Sequence, residues 1–156
     1  VEVVPRLQRA MRDARCSWER SVDVLRWAKE AGSAVTKSSL MVGCGETDDE
    51  VIEALGWLRE ADVDVVTIGQ YLRPSKKHAE VTRYVHPDQF EAYREKGEAL
   101  GFRFVASGPL VRSSYRAAEA FLHGILKGNA SFDDAYGRAR NDGVDDGVKR
   151  RLQVIG

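Results

Sequence analysis

Residues 109–117 read PLVRSSYRA, an apolar lead-in that runs into Arg112, the paired hydroxyls of Ser113 and Ser114, and Tyr115. A serine at such a position caps the helix that follows. What an arginine and three hydroxyls in a row would otherwise serve depends on the scaffold that holds them. A second stretch, LMVGCGET (40–47), sets two glycines ahead of a helical segment, the arrangement that cradles a phosphate. It lacks both GxGxxG and the Gly-Lys-Ser/Thr of a P-loop. It also ends in Glu46, with Asp48, Asp49 and Glu50 behind it. That density of carboxylates repels phosphate and suits a cation or sugar hydroxyls; the plain alternative is a glycine turn whose acids complement the helix dipole. A third, YLRPSKKH (71–78), puts Arg73, Lys76, Lys77 and His78 on one loop, either a solvated run or a dock for carboxylates. His78, His86 and His123 show no metal-ligand spacing. Cys16 and Cys44 form no CxxC pair and read as two reduced intracellular thiols. Two thiols cannot hold an iron–sulfur cluster, which takes four ligands.

Strands and helices must present these groups, and their patterns alternate along the chain. VEVV (1–4), closed by Pro5, predicts a strand end. Ser17 caps a predicted helix with Trp18, Val22, Leu25 and Ala28 on one face and Gly32 at its end. Residues 34–42 predict a strand. Thr47 and Glu50 form a capping box, opening a helix that faces inward through Val51, Leu55 and Leu58. Residues 63–69 predict the next strand, His86-Pro87 the start of a helix with Phe90, Tyr93 and Leu100 inward, Gly101 its end, and 102–106 a further strand. Ala118, Phe121, Leu122 and Ile125 mark one more helix, closed near Gly128. Trp18, Trp27 and Trp57 fall in helical stretches and predict core or interface packing. The class is α/β with a parallel sheet. Two architectures compete: part of an eight-stranded-type barrel and an open doubly wound sheet. In either, function collects in the loops after the strands, where Lys37, Ser39, Gly43–Glu46, Gln70 and Arg112–Tyr115 lie in or beside. Residues 1–128 form the predicted domain, and 129–156 a polar tail with a short helix or disorder.

The 156-residue chain has 24 basic and 24 acidic side chains, so no net field gathers nucleic acid or an anionic membrane. With 43% apolar and 31% charged residues it has the composition of an ordinary globular protein. No stretch approaches the roughly 20 apolar residues of a membrane span. The start at Val1, inside a strand pattern, predicts a fragment or processed piece.

TKSSLMVGCGETDDEV, TIGQYLRPSKKH, RYVHPDQFE, ALGF and ASGPLVRSSY, in this order, resemble the lipoyl synthases, enzymes of the radical S-adenosylmethionine (SAM) superfamily. The likeness runs from Val1 to about Ala117. It implies the second half of a partial (βα)6 TIM-type barrel. It implies an activity in which two sulfur atoms enter C6 and C8 of an octanoyl-lysine on a lipoyl domain or the glycine-cleavage H protein, through a 5′-deoxyadenosyl radical. It implies SAM and two [4Fe-4S] clusters, one of them consumed as sulfur source, and a cytoplasmic enzyme. On this resemblance Ser114 is the serine ligand of the auxiliary cluster, with Ser113 as fallback, and Arg112 steadies the motif. Lys37, Ser39, Glu46, Gln70 and Glu2 are the candidate SAM contacts. Ser39 stands where the family usually has glycine and Cys44 where it has leucine. The family's two cysteine triplets are absent, belonging before Val1, so the chain alone is expected to be inactive. Beside this enzyme reading stand a non-catalytic α/β module that holds an adenosyl compound or a carrier domain, and a truncated product that does not fold stably.

Overall fold

The computed structural model describes residues 1–32 and 35–113. A 3-10 turn (Pro5–Leu7) and α1 (Gln8–Met11) precede α2 (Trp18–Glu30), β1 (Lys37–Val42), α3 (Asp48–Glu60), β2 (Val65–Gln70), α4 (Pro87–Ala99) and β3 (Phe104–Gly108). The strands pair in parallel in the order β1-β2-β3, with Ser39 opposite Thr67 and Thr67 opposite Ala106. The expected strand at 1–4 is reduced to one parallel bridge from Glu2 to Leu40. Glu2 sits in the left-handed region at φ 78° and Pro5 begins the 3-10 turn, so the extended run has no room to grow. The helix expected from Ala118 to near Gly128 and the polar tail at 129–156 lie outside the described residues.

Local signals set the element ends as their chemistry requires. Ser17 Oγ accepts from Arg20 N at the start of α2. Thr47 and Glu50 close a reciprocal capping box on α3. Pro87 occupies the first turn of α4, and Gly101, at φ +89°, ends that helix where a side chain would be strained. Gly32 does the same after α2.

Alternation along the strands sorts the sheet into two faces. Leu40, Val42, Val66, Ile68 and Val105 join one core with Val22, Val51, Leu55, Leu58, Phe90 and Tyr93 of the helices. Trp18 of α2 meets Trp57 of α3 edge to face, ring centroids 5.9 Å apart. The core expectation holds for Trp18, which is buried, but Trp27 is 62% exposed and Trp57 is exposed as well. Leu100, expected inward, is also exposed; Gly97 takes the inward place in that turn. A Cβ at Gly97 would come within 2.9 Å of Val105, so glycine is what lets α4 lie close on β3. At the strands' N-terminal end Asp64 is buried and held by Lys29 Nζ at 2.6 Å and by the Thr36 amide at 2.7 Å, which ties α2, β1 and β2 together away from the cavity. No helix among the described residues is long and apolar enough to cross a membrane.

Candidate functional site

The other face of the sheet borders a cavity of about 610 Å³ at the C-terminal ends of the strands. Ser39 and Met41 of β1, Thr67 and Gly69 of β2, and Val111–Ser113 beyond β3 line it, with Glu2 on one side and Tyr71, Lys77 and His78 on another. Gly69 makes this closure possible: a Cβ there would lie 2.1 Å from the Val111 carbonyl oxygen, so only glycine lets the segment after β3 cross the end of β2.

Of the sequence-predicted contacts, Glu2, Ser39 and Gln70 border the cavity, as does Ser113. Glu2 pairs with Arg12 at 3.4 Å. Lys37, two positions before Ser39, is not among the residues that line the cavity; its Nζ donates to the Ser113 carbonyl at 2.6 Å. Ser114 lies outside the described residues. Arg112 folds back, donating to the Val111 carbonyl at 3.0 Å.

Glu46 and Gln70 spend their polar atoms on the loops. The Glu46 carboxylate is buried and accepts from the Gly43 amide at 2.7 Å and the Cys44 amide at 2.9 Å. Those are the amides a phosphate would need, so the loop carries its own anion, in keeping with the sequence argument against phosphate. Burial, and then the Glu46 charge, push the Cys44 thiol up to about 12, so it stays protonated at neutral pH. Gln70 accepts from the Val85 amide at 2.9 Å and donates to the Tyr71 and Arg83 carbonyls at 3.0 and 3.1 Å. It thereby straps the 71–86 loop to the end of β2. Arg83 ties the same loop to α3 through Asp48 at 2.5 Å, and Tyr93 donates to the same carboxylate oxygen at 2.5 Å. The Tyr93 and Arg83 hydrogen bonds hold the Asp48 carboxyl below the usual carboxylate range, while burial pushes the Tyr93 phenol up.

The basic loop divides. Arg73 is a staple, donating to the Lys76 and His78 carbonyls at 2.6 and 2.9 Å and to Glu80 at 3.2 Å. Lys77 and His78 reach the cavity edge. Sequence reasoning missed Thr67, Val111 and the Asp48–Arg83–Tyr93 tie. Thr67 was legible only as part of an apolar strand, and the tie joins residues far apart in the chain.

The sequence of the first third matches the family model described as the radical SAM superfamily, over residues 2–58. Lipoyl synthase of Sorangium cellulosum is 51% identical over 170 aligned residues, 99% of this chain and 45% of the relative. Lipoyl synthase of Picrophilus torridus is 54% identical over 127 residues, 81% of this chain and 44% of the relative. The chain is a homologue of the lipoyl synthases. A mitochondrial lipoyl synthase of Ostreococcus lucimarinus is 55% identical over 127 residues, 81% of this chain and 32% of the relative. The chain thus spans between about a third and just under half of the curated lipoyl synthases it matches. The family is one of sulfur-inserting radical SAM enzymes, and it implies SAM and [4Fe-4S] chemistry.

The residues fit those two groups differently. The cavity lies within the roughly 300–1,000 Å³ typical of small-molecule sites, and hydroxyl groups meet apolar walls in it, as a nucleoside requires. No group of three or more His, Cys, Asp or Glu among the described residues could hold a metal ion, and neither cysteine lines the cavity. In size and lining the cavity suits a nucleoside, whereas the described residues offer no thiolate cage for a cluster.

Proposed function

We propose that this chain is the cofactor- and substrate-facing C-terminal portion of a lipoyl synthase, the second half of a partial (βα)6 barrel that inserts sulfur at C6 and C8 of an octanoyl-lysine. The observation that carries the reading is the convergence of Glu2, Ser39, Gln70 and Ser113 on one cavity, in a chain about half identical to lipoyl synthases. The parallel order β1-β2-β3 among the described residues accords with a barrel segment, and one half of a doubly wound sheet has the same order.

In this reading Glu2 and Ser39 meet SAM directly, Lys37 holds the Ser113 peptide at the rim, and Glu46 and Gln70 shape the loops that close over the cofactor. Bound SAM would supply a carbon radical that removes hydrogen from the octanoyl chain. The apolar side chains of Met41, Tyr71 and Val111 exclude water from that step. Ser114 is the proposed oxygen ligand of the auxiliary cluster, with Ser113 as fallback; an oxygen donor matches iron of a cluster less well than thiolate and so releases it more readily. The remaining ligands belong to polypeptide beyond this chain, which by itself is inactive. The octanoyl group arrives on a lipoyl domain or the glycine-cleavage H protein. Cytoplasmic residence is proposed on the likeness to the Sorangium cellulosum enzyme; the Ostreococcus lucimarinus relative is named as mitochondrial.

The test is a chimera in which this chain replaces the matching part of the Picrophilus torridus enzyme, reconstituted with iron and sulfide. Ser114→Ala should cost one cluster's worth of iron and leave the other intact, with Ser113→Ala unchanged. Full iron in both variants would refute the ligand assignment. A second reading, a module that binds an adenosyl compound without catalysis, draws on the same cavity. Sulfur insertion by the chimera excludes it.

A further inference from the structure

Thr67 is 1% exposed, lines the cavity, and its Oγ1 is buried with no hydrogen-bond partner among the described residues. A buried hydroxyl left unsatisfied destabilises a fold, and valine would fill the same volume without that cost. Its strand neighbours on the helix side, Val66 and Ile68, are apolar and belong to the core. The hydroxyl is therefore placed on the one face of β2 where a ligand can reach it. Ser39 stands opposite it in register on β1, and both border the cavity. Gly69, two positions on, is where the Val111 carbonyl crosses the strand and closes that end of the cavity.

We propose that Thr67 is a ligand-binding residue whose hydroxyl, paired across the strands with that of Ser39, hydrogen-bonds the nucleoside end of the adenosyl compound in this cavity. This deepens the reading of the cavity given above and rests on it. The chemistry selects that end of the ligand. Two neutral hydroxyls both donate and accept, which suits ribose hydroxyls or a ring nitrogen. The charged groups at the cavity, the Glu2–Arg12 pair, Lys77 and Arg112, are the ones suited to the charged amino-acid end.

The experiment compares wild type, Thr67→Val and Thr67→Ser in the 156-residue chain, by equilibrium dialysis with S-adenosylhomocysteine and with 5′-deoxyadenosine, and by ligand-free thermal unfolding. Thr67→Val should weaken both probes by about fivefold to tenfold, the loss of one buried hydrogen bond. The same variant should melt about 2–4 °C higher without ligand, because the unsatisfied hydroxyl is gone. Thr67→Ser should bind within about twofold of wild type, since it keeps the hydroxyl. Unchanged affinity in Thr67→Val overturns the inference while wild-type binding upholds the cavity reading. Weaker binding of S-adenosylhomocysteine alone overturns the assignment to the nucleoside. A lower melting temperature in Thr67→Val shows the hydroxyl already satisfied within the protein and overturns it too. Wild type that binds neither probe overturns both this inference and the cavity reading.

Discussion

Gly43 joins β1 to the loop whose amides Glu46 occupies, and replacing it by alanine has a cost that can be worked from its surroundings. Its φ is +92°, so alanine there incurs left-handed strain of about 1–2 kcal/mol. Its Cβ would also lie 2.3 Å from Gln70 Nε2 and 2.4 Å from the Arg83 carbonyl oxygen, both atoms of the strap that holds the 71–86 loop. Making room breaks the Gln70–Arg83 bond of 3.1 Å and the bond of 2.9 Å from the Thr82 amide to the Gly43 carbonyl. At about 1 kcal/mol each, the total comes to about 3–4 kcal/mol. Gly101 is the control, since its φ is +89° but the nearest atom to its Cβ, Arg59 Nε, is 3.9 Å away. Gly101→Ala should cost only the strain, about 1–2 kcal/mol. Urea unfolding followed by tryptophan fluorescence measures both, and hydrogen exchange at Thr82 and Val85 reports the strap locally. If Gly43→Ala is no more destabilising than Gly101→Ala, the strap contributes nothing and the loop account is wrong.

Two further expectations concern titration. The Arg6 hydrogen bond, aided by the Thr47 amide, holds the Glu50 carboxyl down to about 2. A depressed folded pKa gives stability that is full above the ordinary carboxylate value and fades as pH falls toward about 2. The melting-temperature gap between wild type and Glu50→Gln should therefore be constant near neutrality and close below about pH 4.5; a gap that stays constant to pH 2 contradicts this. In a Cys16→Ser background, alkylation of Cys44 should keep rising with pH beyond 9, toward its value of about 12. A plateau near pH 9 would mean that Cys44 is neither buried nor near the Glu46 charge.

The fold was legible wherever a local rule decides it. The Ser17 cap, the Thr47–Glu50 box, Pro87 and the glycine ends act within a few residues, and each lies where its chemistry predicted. The strand at 1–4 was not, because its apolar pattern carries no sign of the left-handed Glu2. Leu100 failed for a related reason: helical spacing marked it inward, but Gly97 gives the closer approach to β3. The candidate site was legible in its location, since strand ends collect function, and less so in its roles. Glu46 looks like a ligand group in sequence, yet its carboxylate closes its own loop. Thr67 looks like strand filler, yet its register with Ser39 sets it on the cavity.

The most direct test of the central claim, that this chain furnishes the cavity wall of a lipoyl synthase, is mass spectrometry of an octanoyl-lysine peptide after incubation with the reconstituted Picrophilus torridus chimera, SAM and a reductant. The account predicts a product with two sulfur atoms in place of two hydrogens from the chimera and none from the chain alone. A folded chimera with both clusters filled that leaves the octanoyl group unaltered would contradict it, as would sulfur insertion by the 156-residue chain unaided.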